Sequence, residues 1–346
     1  MNKQSLDAEH MAKAIYDFPD QLEQAVVIGK NFFVNTTFNA IQNVVVAGMG
    51  GSAIGGDVCR ALLAAELNVP FLVNRNYNLP NWVNEHTLVI CSSYSGNTEE
   101  TLSAFADANA KGANICGIST GGSLTEKLNT DNCDIIAIPA GLQPRAALAF
   151  SIVPMLFLLR AQGLIGDSIF NDISDTVKLL RVHRDKYAKE DAANLTYALA
   201  ASIYKTLPII YGTSDSTAVA ALRWKGQFCE NADMLAYHNE LPEMNHNEIV
   251  GWENNAELFD NMSVLWLTDG NDHDRVQLRQ KITKRIIGKK NNNQHVIAVA
   301  GSSVRVRLLH LIHFGDWVSY WCAILHGTDP SPVVPIMQLK EELSSK

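Results

Sequence analysis

Closely spaced cysteine pairs are missing from this chain. Its six cysteines, Cys59, Cys91, Cys116, Cys133, Cys229 and Cys322, form no CxxC motif, and several lie inside apolar runs. That argues against a disulfide framework or a zinc ribbon and fits reduced thiols in a cytoplasmic protein. Basic charge is scarce as well. Lys and Arg total 28 against 36 Asp and Glu, a net charge of −8, which disfavours a nucleic-acid partner. The one basic run, KITKRIIGKK (281–290), reads as the solvated face of a helix. The opening residues, MNKQSLDAEHMAKAIYDF, lack the apolar core of a secretory signal. No apolar run is long enough to span a bilayer. The longest, AALAFSIVPMLFLLRA (146–161), holds Pro154 and Arg160 and reads as a buried helix, so no membrane partner is expected.

What the chain does have is a steady alternation of apolar runs and helical patterns, the mark of an α/β fold with parallel sheets. Strands are expected at 44–48, 70–74, 87–93, 114–119 and 134–140, with helices over 52–65, 98–111 and 145–162. The rhythm returns at 207–212, 263–270 and 295–301, each run leading into a helix. IIYGTSDSTAVAALRW parallels VVVAGMGGSAIGGDVCRAL in layout: strand, glycine, small polar turn, helix. Two similar domains follow, 1–165 with a helical lead-in and 195–328. A helical linker (166–194) joins them, and 329–346 is a helical tail.

Two turns look built for an anion. GMGGSAIGGD (48–57) follows a strand and opens a helix, where glycines admit a ligand to the backbone and helix-start amides favour negative charge. Gly51 and Ser52 are its candidate phosphate ligands. Gly48-x-Gly50-x-x-Ala53 also matches a dinucleotide fingerprint. The second strand, however, ends in Asn74 and Arg75 rather than an acid, which disfavours NAD and leaves an NADP-dependent reductase as an alternative. The second turn, SSYSGNTEE (92–100), offers Ser93, Ser95 and Thr98. Asn97-x-x-Glu100 matches a capping box, which accounts for one cap but not for three hydroxyls. Neutral hydroxyls and turn amides bind phosphate without burying a counter-charge. Both turns are expected at the carboxyl edge of one sheet.

GMGGSAIGGD, SYSGNTEET and PRAALAF together resemble the sugar isomerase (SIS) domain family. More narrowly, they are similar to its bifunctional phosphoglucose/phosphomannose isomerases. The similarity continues through ENADMLAYHNELPEMNHNEIVGWE to PIMQLKEEL. It implies two SIS-type doubly wound parallel-sheet domains with flanking helices. It also implies an aldose–ketose isomerase of hexose 6-phosphates that needs neither metal nor cofactor.

The densest set of titratable residues lies at 230–253. Pro242 interrupts any helix there and no HExxH motif occurs, so a metal site is not expected. Glu230 ends a helical pattern, partly desolvated at the negative end of the helix dipole, the setting of a general base. The resemblance makes Glu230 the isomerisation base and His246 and Lys340 the ring-opening pair. Arg145, after Pro144 at the mouth of an apolar helix, is implied to stabilise the enediolate. The resemblance further implies a homodimer with His246 acting in trans. A non-catalytic sugar-phosphate sensor using the same cup is the other alternative. An amide-transferring isomerase is disfavoured, because no glutaminase segment precedes the first domain.

Overall fold

The computed structural model describes residues 6–345, and the chain divides into two compact units. One holds Asp17–Arg181 with Gly301–Val306. The other holds the residues up to Tyr16, Val182–Ala300 and those from Arg307 on. Each contains one wholly parallel sheet flanked by helices, the α/β architecture expected from the alternation of apolar runs.

In the first unit the sheet runs β2-β1-β3-β4-β5. Its strands are β1 (Asn43–Ala47), β2 (Phe71–Asn74), β3 (Thr87–Ser93), β4 (Asn114–Ser119) and β5 (Asp134–Ala137). β3 is buried along its whole length, and β1 along all but its first residue. That is why VVVA and LVICSS read as continuous rather than alternating apolar runs. One sheet face buries Val45, Val89, Cys91, Phe105, Ile115, Leu124 and Leu128 in a single cluster. Phe105 comes from α4 (Glu99–Ala110), and Leu124 and Leu128 come from α5 (Gly122–Thr130). The unit's other helices include α2 (Phe18–Lys30), α3 (Gly50–Leu62) and α6 (Leu148–Ala161). α6 is buried from Leu148 to Leu159 and packs on α2 and α3, so its all-round apolarity marks a core helix. It begins at Leu148, three residues later than the sequence pattern suggests. Pro144–Ala146 form a separate 3-10 turn ahead of it.

In the second unit β6 (Leu207–Thr213), β7 (Tyr237–Leu241), β8 (Met262–Leu267) and β9 (Gln294–Ile297) are ordered β7-β6-β8-β9. β7 falls in a stretch whose polar composition reads as loop. YHNEL has mixed burial and edge position, so it lacks the apolar run that reveals a central strand. Helices α9 (Ala218–Ala232), α11 (Asp274–Ile287) and α12 (Val304–His326) follow β6, β8 and β9; a short α10 (Ala256–Phe259) precedes β8. The remaining helices are α1 (Met11–Tyr16), α8 (Leu195–Ile203) and α13 (Val334–Ser344) of this unit, and α7 (Ser168–Tyr187), most of which belongs to the first unit.

A buried polar ladder sets α9 against α12. Arg223 pairs with Asp316 at 2.8 Å, Gln227 donates to the same carboxylate at 3.0 Å, and Asn231 donates to Ser319 at 2.9 Å. Positions 223, 227 and 231 recur every four residues and so share one helix face.

Candidate active site

In an open parallel sheet, ligands bind beyond the carboxyl ends of the strands, where neighbouring connections diverge to opposite faces. In the first unit that point lies between β1 and β3, and both glycine- and hydroxyl-rich turns open there. Gly48, just after β1, lies so close to β3 that a Cβ on it would be 2.8 Å from the Ser92 carbonyl oxygen. A Cβ on Gly51 would lie 2.6 Å from the Pro144 carbonyl oxygen and 3.4 Å from the Arg145 amide. Glycine at 51 therefore lets the start of α3 meet the 3-10 turn that carries Arg145. The Arg145 residue is buried, at 3 % exposure, and Ser52 at 8 %.

The turn after β3 is organised by its own hydroxyls. The Ser93 and Thr98 side-chain oxygens are 2.8 Å apart, and the Gly96 amide donates to Ser93 Oγ at 3.1 Å. Ser95 is exposed at the tip, its Oγ accepting from the Asn97 amide at 3.3 Å. Gly96 has φ +71°, and a Cβ there would overlap the Gly121 carbonyl oxygen. The turn is braced from below by Thr120, which donates through amide and hydroxyl to the Tyr94 carbonyl. The Tyr94 hydroxyl in turn accepts from the Leu142 amide at 2.9 Å, tying this turn to the segment ahead of Arg145.

The capping-box reading of Asn97 is corrected. Thr98 is the N-cap residue of α4 and makes no side-chain cap bond. Asn97 Oδ1 accepts from the Ser123 amide in α5 instead, at 3.0 Å. A partner distant in sequence has replaced the local one. Glu99 is exposed and takes a hydrogen bond from Tyr77. Arg75, the residue on which the NADP alternative rested, has its guanidinium paired with the buried Asp57 carboxylate of α3.

The matching turn in the second unit, after β6, is already filled by the chain itself. The Asp272 carboxylate, from the connection after β8, accepts from Thr213 Oγ1 at 2.9 Å, Ser216 Oγ at 2.6 Å and the Asp269 amide at 3.2 Å. Asp269 is held by Arg307 at 2.7 Å, which keeps its carboxyl below the usual range despite burial. The two turns look alike in sequence, but only the first lacks a carboxylate of this kind among the described residues.

Gly51, Ser52, Ser93, Ser95, Thr98 and Arg145 all belong to the first unit; Glu230, His246 and Lys340 belong to the second. Glu230 is half-buried in the last turn of α9, next to the buried Asn231 that locks the helix in place. Asp233 follows in the left-handed conformation, φ 51°, and ends the helix. Beyond it a groove of about 480 Å³ is lined by Cys229, Asp233, Met234 and Leu235 on one side and by Thr328 and Pro335 on the other. Lys340 is exposed on α13. His246 is exposed at the end of a 3-10 turn, Glu243–His246.

Sequence reasoning did not single out Tyr94, Asp272 or Glu248. Only long-range partners distinguish them. Glu248 sits two residues after His246 and collects hydrogen bonds from Tyr211, Tyr237 and Asn239. Burial, then the Glu248 charge, raises the pKa of both tyrosines. Among the described residues no group of three or more His, Cys, Asp or Glu side chains is placed to hold a metal ion. None of the described helices is long and apolar enough to cross a membrane.

The parallel sheets and paired turns define the class: a two-unit phosphosugar-isomerase fold of SIS type. Residues 192–343 match the family model described as the bacterial phospho-glucose isomerase C-terminal SIS domain. The C-terminal domain of a glucosamine-fructose-6-phosphate aminotransferase from Francisella tularensis superposes with TM-score 0.68 at 17 % identity, over 93 % of this chain and 98 % of that one. A bifunctional phosphoglucose/phosphomannose isomerase from Caldicellulosiruptor bescii is 45 % identical over 336 residues, 96 % of this chain and 99 % of its own length. One from Aquifex aeolicus is 39 % identical over 303 residues, 87 % of this chain and 90 % of its own. The chain belongs to the bifunctional phosphoglucose/phosphomannose isomerase family.

Proposed function

We propose that the chain is an aldose–ketose isomerase that converts glucose 6-phosphate and mannose 6-phosphate to fructose 6-phosphate and back. The observation that carries this reading is the turn after β3. Its hydroxyls, 2.8 Å apart, and the Gly96 amide converge at the carboxyl edge where such sheets bind ligands. A phosphate monoester has three terminal oxygens, and neutral donors grip it without a buried counter-ion. In this reading the Gly51 amide and the hydroxyls of Ser52, Ser93, Ser95 and Thr98 hold the phosphate. That binding energy places C1 and C2 for reaction.

His246 and Lys340 open the sugar ring by moving a proton between the ring oxygen and the anomeric hydroxyl. Glu230 then removes the proton from C2 of the aldose and returns it to C1 through a cis-enediol. Arg145 stabilises the oxyanion that develops meanwhile. The two aldoses are C2 epimers, and rotation about C2–C3 presents either hydrogen to one base. Both therefore give the same ketose. The reading includes a cytoplasmic homodimer with His246 acting in trans.

The deciding experiment is Glu230→Gln. Turnover is expected to fall by about 10³-fold, in the range for loss of a general base. Fructose 6-phosphate binding, measured by calorimetry, is expected to stay within a few-fold. Binding without turnover in the unmutated protein would instead make it a sensor. Quenching of tryptophan fluorescence by NADP would revive the reductase alternative, and loss of activity in EDTA would contradict the metal-free scheme.

A further inference from the structure

The segment that carries His246 is anchored on both sides of the histidine while the histidine itself stays exposed. On one side Met244 is buried in the core of the second unit, and Asn245 donates to Thr283 of α11 at 2.8 Å. On the other side Glu248 is the hub of a polar cluster. Its Oε1 accepts from the Tyr211 hydroxyl, and its Oε2 accepts from Asn239 Nδ2 and, at 3.2 Å, from the Tyr237 hydroxyl. Tyr211 is fully buried on β6 and itself accepts from Trp252 Nε1 at 3.1 Å. Tyr237 and Asn239 come from the edge strand β7. One carboxylate thus joins two strands to the turn that presents His246. Between the anchors, Asn247 accepts from the Glu248 amide and donates to Glu243 at 2.9 Å. The backbone on either side of the imidazole is held while the ring faces solvent.

We infer that Glu248 is a positioning residue for His246, and that the Tyr211–Tyr237–Asn239 cluster around it serves the ring-opening step in particular. This rests on the reading of His246 given above. A carboxylate accepts through fixed lone-pair directions, and three donors from two strands leave it little freedom. Glu248 lies two residues from His246, so a shift of about 1 Å there moves the imidazole by a similar amount. Misplacement on that scale costs about 10²-fold in a positioned proton transfer. Glu230 sits on α9 and is held by a separate ladder, so the isomerisation step should be spared. A carboxylate that only stabilised the fold would not distinguish one chemical step from another.

The test compares glucose 6-phosphate with its 4,5-dideoxy analogue. The analogue has no hydroxyl able to close a five- or six-membered ring, and its aldehyde is already open. For Glu248→Gln, kcat/KM on glucose 6-phosphate is expected to fall at least tenfold, while that on the analogue stays within about twofold. Tyr237→Phe removes a single partly exposed donor and leaves the core intact. It should show the same selectivity at a few-fold, with an unchanged melting temperature. His246→Ala is run beside them. If it is ring-selective and neither Glu248→Gln nor Tyr237→Phe is, the positioning role is wrong while the assignment of His246 stands. If His246→Ala slows both substrates equally, the ring-opening assignment fails and the positioning role with it. Equal loss on both substrates in Glu248→Gln, tracking a lowered melting temperature, would leave that residue a purely structural part.

Discussion

Ser93 Oγ and Thr98 Oγ1 face each other across the turn after β3 at 2.8 Å, five residues apart in the chain. Thr98 is the N-cap residue of α4, yet its hydroxyl does not cap the helix. It turns to Ser93 instead. Two hydroxyls and a glycine amide are therefore gathered at a helix start that has no side-chain cap, an arrangement suited to an oxyanion.

Removing those hydroxyls should weaken substrate binding more than it slows chemistry. A hydrogen bond to a charged group contributes about 1.5–3 kcal/mol. Ser93→Ala and Thr98→Val are each expected to raise KM for fructose 6-phosphate by tenfold or more, with kcat changing less. Steady-state kinetics checks this, and an unaltered KM in both would remove the phosphate from this turn.

The same turn depends on Gly96. Its φ of +71° disfavours any side chain, and a Cβ would run into the Gly121 carbonyl, whose position is held by Ser119. Gly96→Ala is expected to cost about 3 kcal/mol of stability. Urea unfolding measures it, and a cost under 1 kcal/mol would mean the two turns part easily.

Acid should unfold the second unit through two histidines of α12. Neutral His310 donates from Nδ1 to the Ala300 carbonyl and accepts at Nε2 from the Tyr187 hydroxyl, each at 2.8 Å, and His313 faces the Ile15 carbonyl at 3.0 Å. Burial lowers their pKa values to about 4 and about 3, with His183 adding to the effect. Both are neutral when folded, whereas the unfolded chain takes up their protons near pH 6.5. Their contribution is therefore fully present above that pH and is lost as pH falls toward the folded values. The slope is about 1.4 kcal/mol per pH unit for each histidine. Unfolding free energies at pH 7, 6 and 5 test this, and His310→Gln should flatten the dependence.

Arg223 and Asp316 form a buried ion pair with side chains 2 % and 5 % exposed. Desolvation raises the Asp316 pKa, and Arg223 opposes the shift. Arg223→Met leaves a carboxylate buried without its cation and is expected to cost about 3–5 kcal/mol. Replacing both residues, as Arg223→Met with Asp316→Leu, should recover much of that loss. Because Glu230 rides on the same helix, the single variant should also lose turnover before it unfolds.

Much of the first unit could be read directly. Strands 87–93 and 114–119 coincide with β3 and β4, because central strands buried on both faces must be continuously apolar. β7 could not be read so, since an edge strand buries too little to stand out. Asn97 shows the opposite failure. Its spacing to Glu100 satisfies a local rule, but Ser123, 26 residues away, offers the partner it takes.

By itself the sequence determined the strand–turn–helix rhythm and the two glycine- and hydroxyl-rich turns. These are local or compositional properties, governed by burial and backbone freedom. Only the tertiary structure decided which look-alike turn stays open, because Asp272, 59 residues from Thr213, reaches one and no carboxylate of the described residues reaches the other in this way. It also decided that Glu248, one acid among several in the same stretch, is the one gripped by three donors. A hydrogen bond depends on distance and direction in space, and spacing along the chain does not encode either between elements far apart in sequence.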